Sequence, residues 1–451
     1  MTAIQYQDNG GVLLALLPKG RVEFLDRRAR PFIDAVNGGR ISAHVIDWNI
    51  FVVEDLAVDL DQFHLAAPAI VFLEVTNECN LRCDHCYVSS GVKRRNEMDT
   101  EEILGVLDTI AAMGTLQIFL TGGELFMRPD VVEIITHARK QPFFTQVFTN
   151  GLLITEEHLK QIPAPTSFNI SFDTADPVRT VRGGLDYPKL REVFDMMYAH
   201  GHFLRTALSI HRQNQEDALQ IFAWCAENGY PRPQWSETHL LGRAVSHPDI
   251  LMLPGQVERS YEIYQQCMDM YSETPHPESD PALPQDRSGV SDDPDSEFYA
   301  VDTVRFAVRL EKATRREKCG RSVAYINASG DVFPCTNCQA ARMYKAGNVR
   351  DTSFQEIWEN GFSKWRTISF DDWHECASCP VQQAGVDCQF RCPPLSRTTT
   401  GNDSSCSASP YMKDFMLRTH AYWETRREEG ATLSLMPPPP RRRVNIPVTA
   451  V

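Results

Sequence analysis

Thirteen cysteines are spread so unevenly along the chain that they limit the fold before any periodicity is considered. Cys79, Cys83 and Cys86 sit together, Cys225 and Cys267 stand apart, and Cys319, Cys335, Cys338, Cys376, Cys379, Cys388, Cys392 and Cys406 crowd the last third. A small secreted chain uses such thiols in disulfides. A chain of 451 residues that opens on MTAIQYQDNGG, with no basic segment and apolar stretch behind it, uses clustered thiols for metals. The protein is therefore expected in the cytoplasm. No run approaches the roughly 20 apolar residues of a membrane helix. Lys+Arg 45 against Asp+Glu 59 gives a formal charge of -14, the wrong sign for general attraction to nucleic acid or an anionic membrane, so neither is expected as a partner.

From Ala69 onward short apolar strands alternate with amphipathic helices, the pattern that makes a parallel sheet through right-handed crossovers. Strands are expected at 69–76, 116–121, 145–150, 167–173, 203–210 and 233–240. Helices are expected from Thr100 to Met113 behind a capping box of Asp99 and Glu102, then at 130–140, 156–162, 187–200 and 216–228, with a sixth after Pro254. Six β/α units predict an α/β fold, a partial (β/α)6 TIM-like barrel with chemistry at the C-terminal ends of its strands. Residues 1–66 read as a hairpin and a short helix, a small α+β unit that packs on the barrel of 67–271. An acidic, Pro-rich linker at 272–302 cannot bury enough apolar surface to order itself. A cysteine-rich domain at 303–428 opens with a hairpin at 322–327 and 332–335 and closes with an amphipathic helix near 409–428. The tail 429–451 is expected to be disordered. Cys225 and Cys267, on predicted helices, read as core residues, as does the aromatic-rich segment 353–365.

Cys79, Cys83 and Cys86 form C-x3-C-x2-C on the loop directly after the first predicted barrel strand. Three thiolates can hold three irons of a 4Fe-4S cube and leave the fourth iron for a second molecule. The competing arrangement is a zinc ion held by the three cysteines and His85, which the crowding of Asp84 and His85 between two ligands makes awkward. The next predicted strand ends in Thr121-Gly122-Gly123-Glu124.

On these residues the chain resembles the radical S-adenosylmethionine (SAM) superfamily, and His85 matches the family's aromatic before the third cysteine. The resemblance implies that the loop holds a SAM-binding 4Fe-4S cluster whose one-electron reduction releases a 5′-deoxyadenosyl radical. It also implies that Gly122 and Gly123 permit close approach of backbone, and that Glu124 accepts hydrogen bonds from the SAM ammonium. Ser171 and Asp173 at the end of the fourth strand, and Arg182, fall where the family places further SAM contacts. Arg179 and Thr180 stand where a His-Asp pair is often seen. Gly242-Arg243-Ala244 also recurs in relatives, without a role the sequence assigns.

The distal cysteines follow C-x10-G-x4-C from Cys319 through Gly330 to Cys335, then C-x2-C-x8-C-x3-C from Cys376 to Cys392, then Cys406. This is similar to the SPASM extension of radical SAM peptide and protein maturases, with x8 in place of the usual x5 before Cys388. The resemblance implies two auxiliary 4Fe-4S clusters, three in all. Cys319, Cys335 and Cys392 would hold the first; the additional Cys338 would saturate it, and without Cys338 one iron of that cluster stays open. Cys376, Cys379, Cys388 and Cys406 would hold the second. Saturated clusters suit electron transfer better than substrate binding. The N-terminal unit resembles the small domain with which such maturases grip a leader peptide by strand addition. The function implied is a SAM-cleaving oxidoreductase that modifies a ribosomally made precursor peptide by cross-linking, epimerisation or a related change at carbon. A flavodoxin or ferredoxin would reduce it. The rival functions are sulfatase-maturase-like protein oxidation, dehydrogenation of a small molecule, and non-catalytic electron transfer.

Overall fold

The computed structural model describes residues 4–10, 12–17, 21–53, 64–174, 181–183, 186–273, 319–368, 373–376, 378–384, 386, 388, 390, 392–400, 405–428 and 432–433. All but the first two residues of the expected linker, nearly all of the tail, and Arg179 and Thr180 lie outside them. The chain begins with an antiparallel sheet of β1 (Gln5–Asp8), β2 (Val12–Leu16) and β3 (Val22–Asp26), followed by α1 (Arg30–Asn37). There follow β4 (Ile70–Thr76), α2 (Thr100–Ala112), β5 (Gln117–Gly122), α3 (Val131–Lys140), β6 (Phe144–Thr149), α4 (Glu156–Gln161), β7 (Ser167–Ser171), α5 (Tyr187–Ala199), β8 (Phe203–Ile210), α6 (Asp217–Glu227), β9 (Gln234–Glu237) and α7 (Val257–Asp269). Strands β4 to β9 pair side by side, all parallel.

One row of this register explains why the sheet forms. Leu73, Leu120, Val147, Phe168 and Leu204 are neighbours across five strands, all completely buried. Helix α2 packs Ile103, Leu107 and Ile110 into the same core, each side chain contributing roughly 1.5–3 kcal/mol of burial. The Asp99 carboxylate accepts from the Glu102 backbone at 2.9 Å, and Glu102 returns the bond to the Asp99 N–H, which fixes where that helix starts. Cys225 and Cys267 lie fully buried in this core, as expected of small apolar residues.

The distal region does not sit apart from the barrel. Its hairpin, β11 (Val323–Ile326) and β12 (Asp331–Phe333), enters the main sheet with β11 parallel to β4, Tyr325 opposite Phe72. A two-residue strand β13 (Gly347–Asn348) extends that edge, giving the order β13-β12-β11-β4-β5-β6-β7-β8-β9 with no closure. A further pair, β10 (Ser272–Glu273) with β14 (Thr432–Leu433), lies outside the sheet. The segment from Phe354 to Arg366 is helical and buries Phe354, Ile357, Trp358, Phe362 and Trp365. The N-terminal sheet packs Leu14, Leu16, Val22 and Phe24 against Ile70, Leu116, Phe144 and Val323, where barrel strands begin. That cap leaves the opposite end, where the strands finish, for chemistry.

Candidate active site

The cysteine loop leaves β4 and is pinned by backbone before any metal is considered. The Cys79 N–H donates to Gly91 O at 2.9 Å, and the Cys86 N–H to Cys83 O at 3.2 Å. Backbone N–H groups also point at sulfur, Leu81 to Cys79 Sγ at 3.4 Å and Ser90 to Cys86 Sγ at 3.3 Å, the kind of second-layer bond that steadies a thiolate ligand. Burial pushes the Cys83 thiol up to about 11 and the Cys79 thiol upward as well, so metal binding here must release protons. Among the described residues no group of three or more His, Cys, Asp or Glu side chains converges as the ligands of a single ion would.

A cavity of about 310 Å³ opens beside the loop, walled by Cys79, Cys83, His85 and Cys86 on one side and by Gly122, Gly123, Ser171 and Arg182 on the other. The two glycines are there because their neighbours are backbone. A Cβ on Gly122, at φ +150°, would lie 2.3 Å from Thr76 O, and one on Gly123 would lie 2.1 Å from Glu78 O. Glu124 turns away from the cavity and is not part of its lining. Its carboxylate is fully buried and accepts from the Thr149 hydroxyl at 2.6 Å, the Asn150 N–H at 2.7 Å and the Phe126 N–H at 3.1 Å. Burial raises its pKa, and these donors oppose the rise. In this conformation Glu124 ties the ends of β5 and β6 together. Arg182 pairs through Nε with Asp173 at 2.9 Å, and His85 Nε2 lies 3.9 Å from the same carboxylate. Burial first, and then the Arg182 charge, push His85 down to about 3, which keeps the ring neutral in the cavity wall.

The distal thiols gather in two groups. Cys335 and Cys338 have their sulfurs 3.7 Å apart, Cys319 shares a hydrogen bond with Cys335, and Asn337 Nδ2 donates to Cys392 Sγ at 3.3 Å. Cys376, Cys379, Cys388 and Cys406 line one apolar recess together with Trp373, Phe390 and Met416. Cys338 thus lies with Cys335 and Cys319, while Cys392 also packs in an apolar cluster with Cys388 and Cys406.

Two family models match this chain. Residues 73–240 match the radical SAM superfamily and residues 318–380 the SPASM iron-sulfur cluster-binding domain. The chain is a radical SAM protein with a SPASM domain. A PqqA peptide cyclase of Gluconobacter oxydans (strain 621H) is 26% identical over 361 residues, covering 76% of this chain and 92% of the relative. An Fe-coproporphyrin III synthase of Methanosarcina barkeri is 26% identical over 313 residues, 66% of this chain and 75% of that one. The fold is similar to Streptococcus suis SuiB bound to its precursor peptide SuiA, with TM-score 0.63, 14% identity, and 91% and 98% of the two chains covered. It is also similar to anSMEcpe with bound AdoMet and a peptide, with TM-score 0.57, 14% identity, and 80% and 99% covered.

Radical SAM and SPASM domains bring iron–sulfur clusters and SAM with them, and both donor sets fit. The front loop offers three thiols beside a cavity, and behind it Cys335 and Cys338 lie together while Cys376, Cys379, Cys388 and Cys406 line one recess. The structure also gives Gly242 and Arg243 the task that sequence could not. Gly242, at φ +56°, lets the end of the β9 unit come so close to the cysteine loop that a Cβ would lie 2.2 Å from Tyr87 O. The Arg243 guanidinium donates to Cys83 O at 2.5 Å and to Ser90 O, and its N–H to Cys86 O at 3.0 Å. These residues clamp the loop from the far edge of the sheet.

Proposed function

We propose that this chain is a SAM-cleaving oxidoreductase that modifies a ribosomally made precursor peptide through three 4Fe-4S clusters. Cys79, Cys83 and Cys86 would hold the SAM-binding cluster. Cys319, Cys335, Cys338 and Cys392 would hold the first auxiliary cluster, and Cys376, Cys379, Cys388 and Cys406 the second. When bound, the reduced front cluster and SAM supply a carbon-centred radical able to take a hydrogen atom from an unactivated C–H bond. The chain's own residues do the rest: Arg182 and Ser171 would contact SAM from the far wall, His85 would offer a neutral ring edge, and Gly122 and Gly123 would leave room for the methionine end. Glu124 would hold that glycine turn in place, reaching the SAM ammonium only by exchanging one of its present donors.

The observation that carries the reading is the three-thiol loop at the cavity mouth, with further thiols paired at Cys335 and Cys338 and lining one recess at Cys376, Cys379, Cys388 and Cys406. The peptide as substrate rests on the curated cyclase relatives, whose name states a peptide target, and on the fold shared with peptide-bound SuiB. A flavodoxin or ferredoxin would deliver the electron, and the thirteen free thiols suit a reducing cytoplasm. The N-terminal unit would grip the leader of the peptide. The Val53 N–H already bonds Phe24 O at 2.8 Å, so a strand added at β3 would displace residues 52–53 or pair beyond them. The test is co-expression with the peptide encoded beside the gene, wild type against Cys79→Ala, read by mass spectrometry. A mass change that depends on Cys79 is expected. An unmodified peptide with the fully iron-loaded wild type overturns the reading.

A further inference from the structure

Around the cavity most carboxyl groups are already engaged. Asp173 is ion-paired with Arg182 although neither of its buried oxygens has a hydrogen-bond partner, and Glu124 is held by three donors. Glu74 is different. It lies on β4 opposite Thr121 of β5, a cavity-lining residue, at the seam where β4, the SPASM strand β11 and the cysteine loop meet. It is completely buried. Its Oε2 accepts from the Tyr325 hydroxyl at 3.2 Å and from Gln339 Nε2 at 3.4 Å, and its Oε1 is buried with no hydrogen-bond partner. Tyr325, fully buried as well, shares a hydrogen bond with Tyr87, which bonds Thr121 and lines the cavity. A hydrogen-bonded path therefore runs from the cavity through Tyr87 and Tyr325 to a carboxyl group with one unused oxygen. Gln339, at the end of that path, follows Cys338 of the first auxiliary group in sequence.

Leaving a buried carboxyl oxygen unpaired costs free energy, so such a group stands out where stability alone decides. We propose that Glu74, reached through Tyr325 and Tyr87, takes up the proton that the substrate releases as it is oxidised in the cavity. This rests on the peptide-modifying reading. In one turnover the peptide loses a hydrogen atom to the SAM-derived radical, one electron to an iron–sulfur acceptor of the SPASM domain, and one proton. The proton arrives on the Glu74 carboxylate, which becomes a neutral acid, and the two valences opened on the peptide close into the new bond. The surroundings suit this use. Burial pushes Glu74 up to about 7, opposed by the Arg94 charge, the Tyr325 bond and a backbone bond from Ala328 and reinforced by Glu97, with Tyr87 the remaining titratable neighbour on the path. A base poised near neutrality both accepts and returns a proton.

Two measurements on the iron-loaded protein test this. By infrared pH titration, a carboxylic acid band should disappear as pH rises through about 7. Because half-buried Glu237 is also raised to about 7, Glu74→Gln should remove one component of that band and leave the Glu237 component, and Glu237→Gln should do the reverse. With SAM, dithionite and the peptide encoded beside the gene, the ratio of modified peptide to SAM cleaved should climb with pH through the same range in wild type. Glu74→Gln should lower that ratio about 10²-fold and flatten its pH profile, and Glu74→Asp should recover part of it. Glu74→Gln with the wild-type ratio and profile, or an infrared band unaffected by Glu74→Gln, overturns the proposal. A wild type that leaves the peptide unmodified overturns the peptide reading instead, and the infrared arm, which needs no peptide, keeps the two failures apart.

Discussion

At the mouth of the barrel three thiols face a cavity rimmed by backbone, hydroxyl and guanidinium groups, whereas the eight distal thiols face mainly one another and apolar side chains. The front loop is also held independently of its sulfurs, by the Cys79 N–H to Gly91 O bond, the Arg243 clamp and the backbone contacts at Gly122 and Gly123. Among its described residues the segment carrying Cys376, Cys379, Cys388 and Cys406 has short helical pieces, His374–Cys376, Pro380–Gln383 and Pro393–Thr400. The lesson is a division of labour. A site that must exchange a cosubstrate needs a frame that survives without it, while a saturated cluster can itself be the frame.

The largest expected effect breaks the two regions apart. Cys83→Ala should abolish SAM cleavage and remove roughly four of about twelve irons, leaving the distal thiols loaded. Cys376→Ala should remove a similar amount of iron yet leave SAM cleavage measurable. Iron analysis and quantification of 5′-deoxyadenosine decide this, and equal loss of cleavage in both variants would contradict the division. Iron removal gives the next effect. Anaerobic chelation should make residues 373–408 sensitive to limited proteolysis well before the barrel, because closing that loop depends on metal–sulfur bonds. Simultaneous cleavage in both regions would show that the front frame depends on metal too.

A third effect tests the frame with no thiol removed. Gly123→Ala puts a methyl group 2.1 Å from Glu78 O, an atom of the loop backbone bonded directly to Cys79 that cannot retreat without dragging Cys79 with it. Roughly 2–4 kcal/mol of stability should be lost, with weakened SAM binding and intact auxiliary iron. Thermal unfolding and SAM titration measure the two parts. A variant as stable as wild type would mean the loop moves freely, against the picture of a preformed front site.

How much of this was legible in the sequence depends on the range of each contact. Strands β4 to β9 could be read because alternation and apolar runs are local signals, and the Asp99–Glu102 box is complete within four residues. The Gln5–Asp8 strand carries no apolar pattern. Its backbone pairs with β2, and Gln5 Nε2 reaches Ala111 O at 2.9 Å, 106 residues away. Arg243 resisted interpretation because its partners Cys83 and Ser90 lie 160 and 153 residues upstream. In sequence Glu74 is one polar letter in an apolar strand. Its place beside Tyr325 exists only because β11 docks onto β4, a junction spanning 251 residues that no local pattern announces. The cysteines escaped this limit because their spacing is itself a chemical signature.

The smallest expected effect concerns the two cysteines that belong to neither region. Cys225 is fully buried on α6, with the Thr206 hydroxyl 3.9 Å from its sulfur, and burial pushes its thiol up to about 12, so it stays protonated. Such a thiol packs as a small apolar group and has no tendency to ligate. Cys225→Ala should therefore cost about 1 kcal/mol in a denaturant titration and leave both the iron content and SAM cleavage at wild-type values. Loss of iron in this variant would place a ligand inside the helical layer, and the contrast between front and rear sites would need a third member.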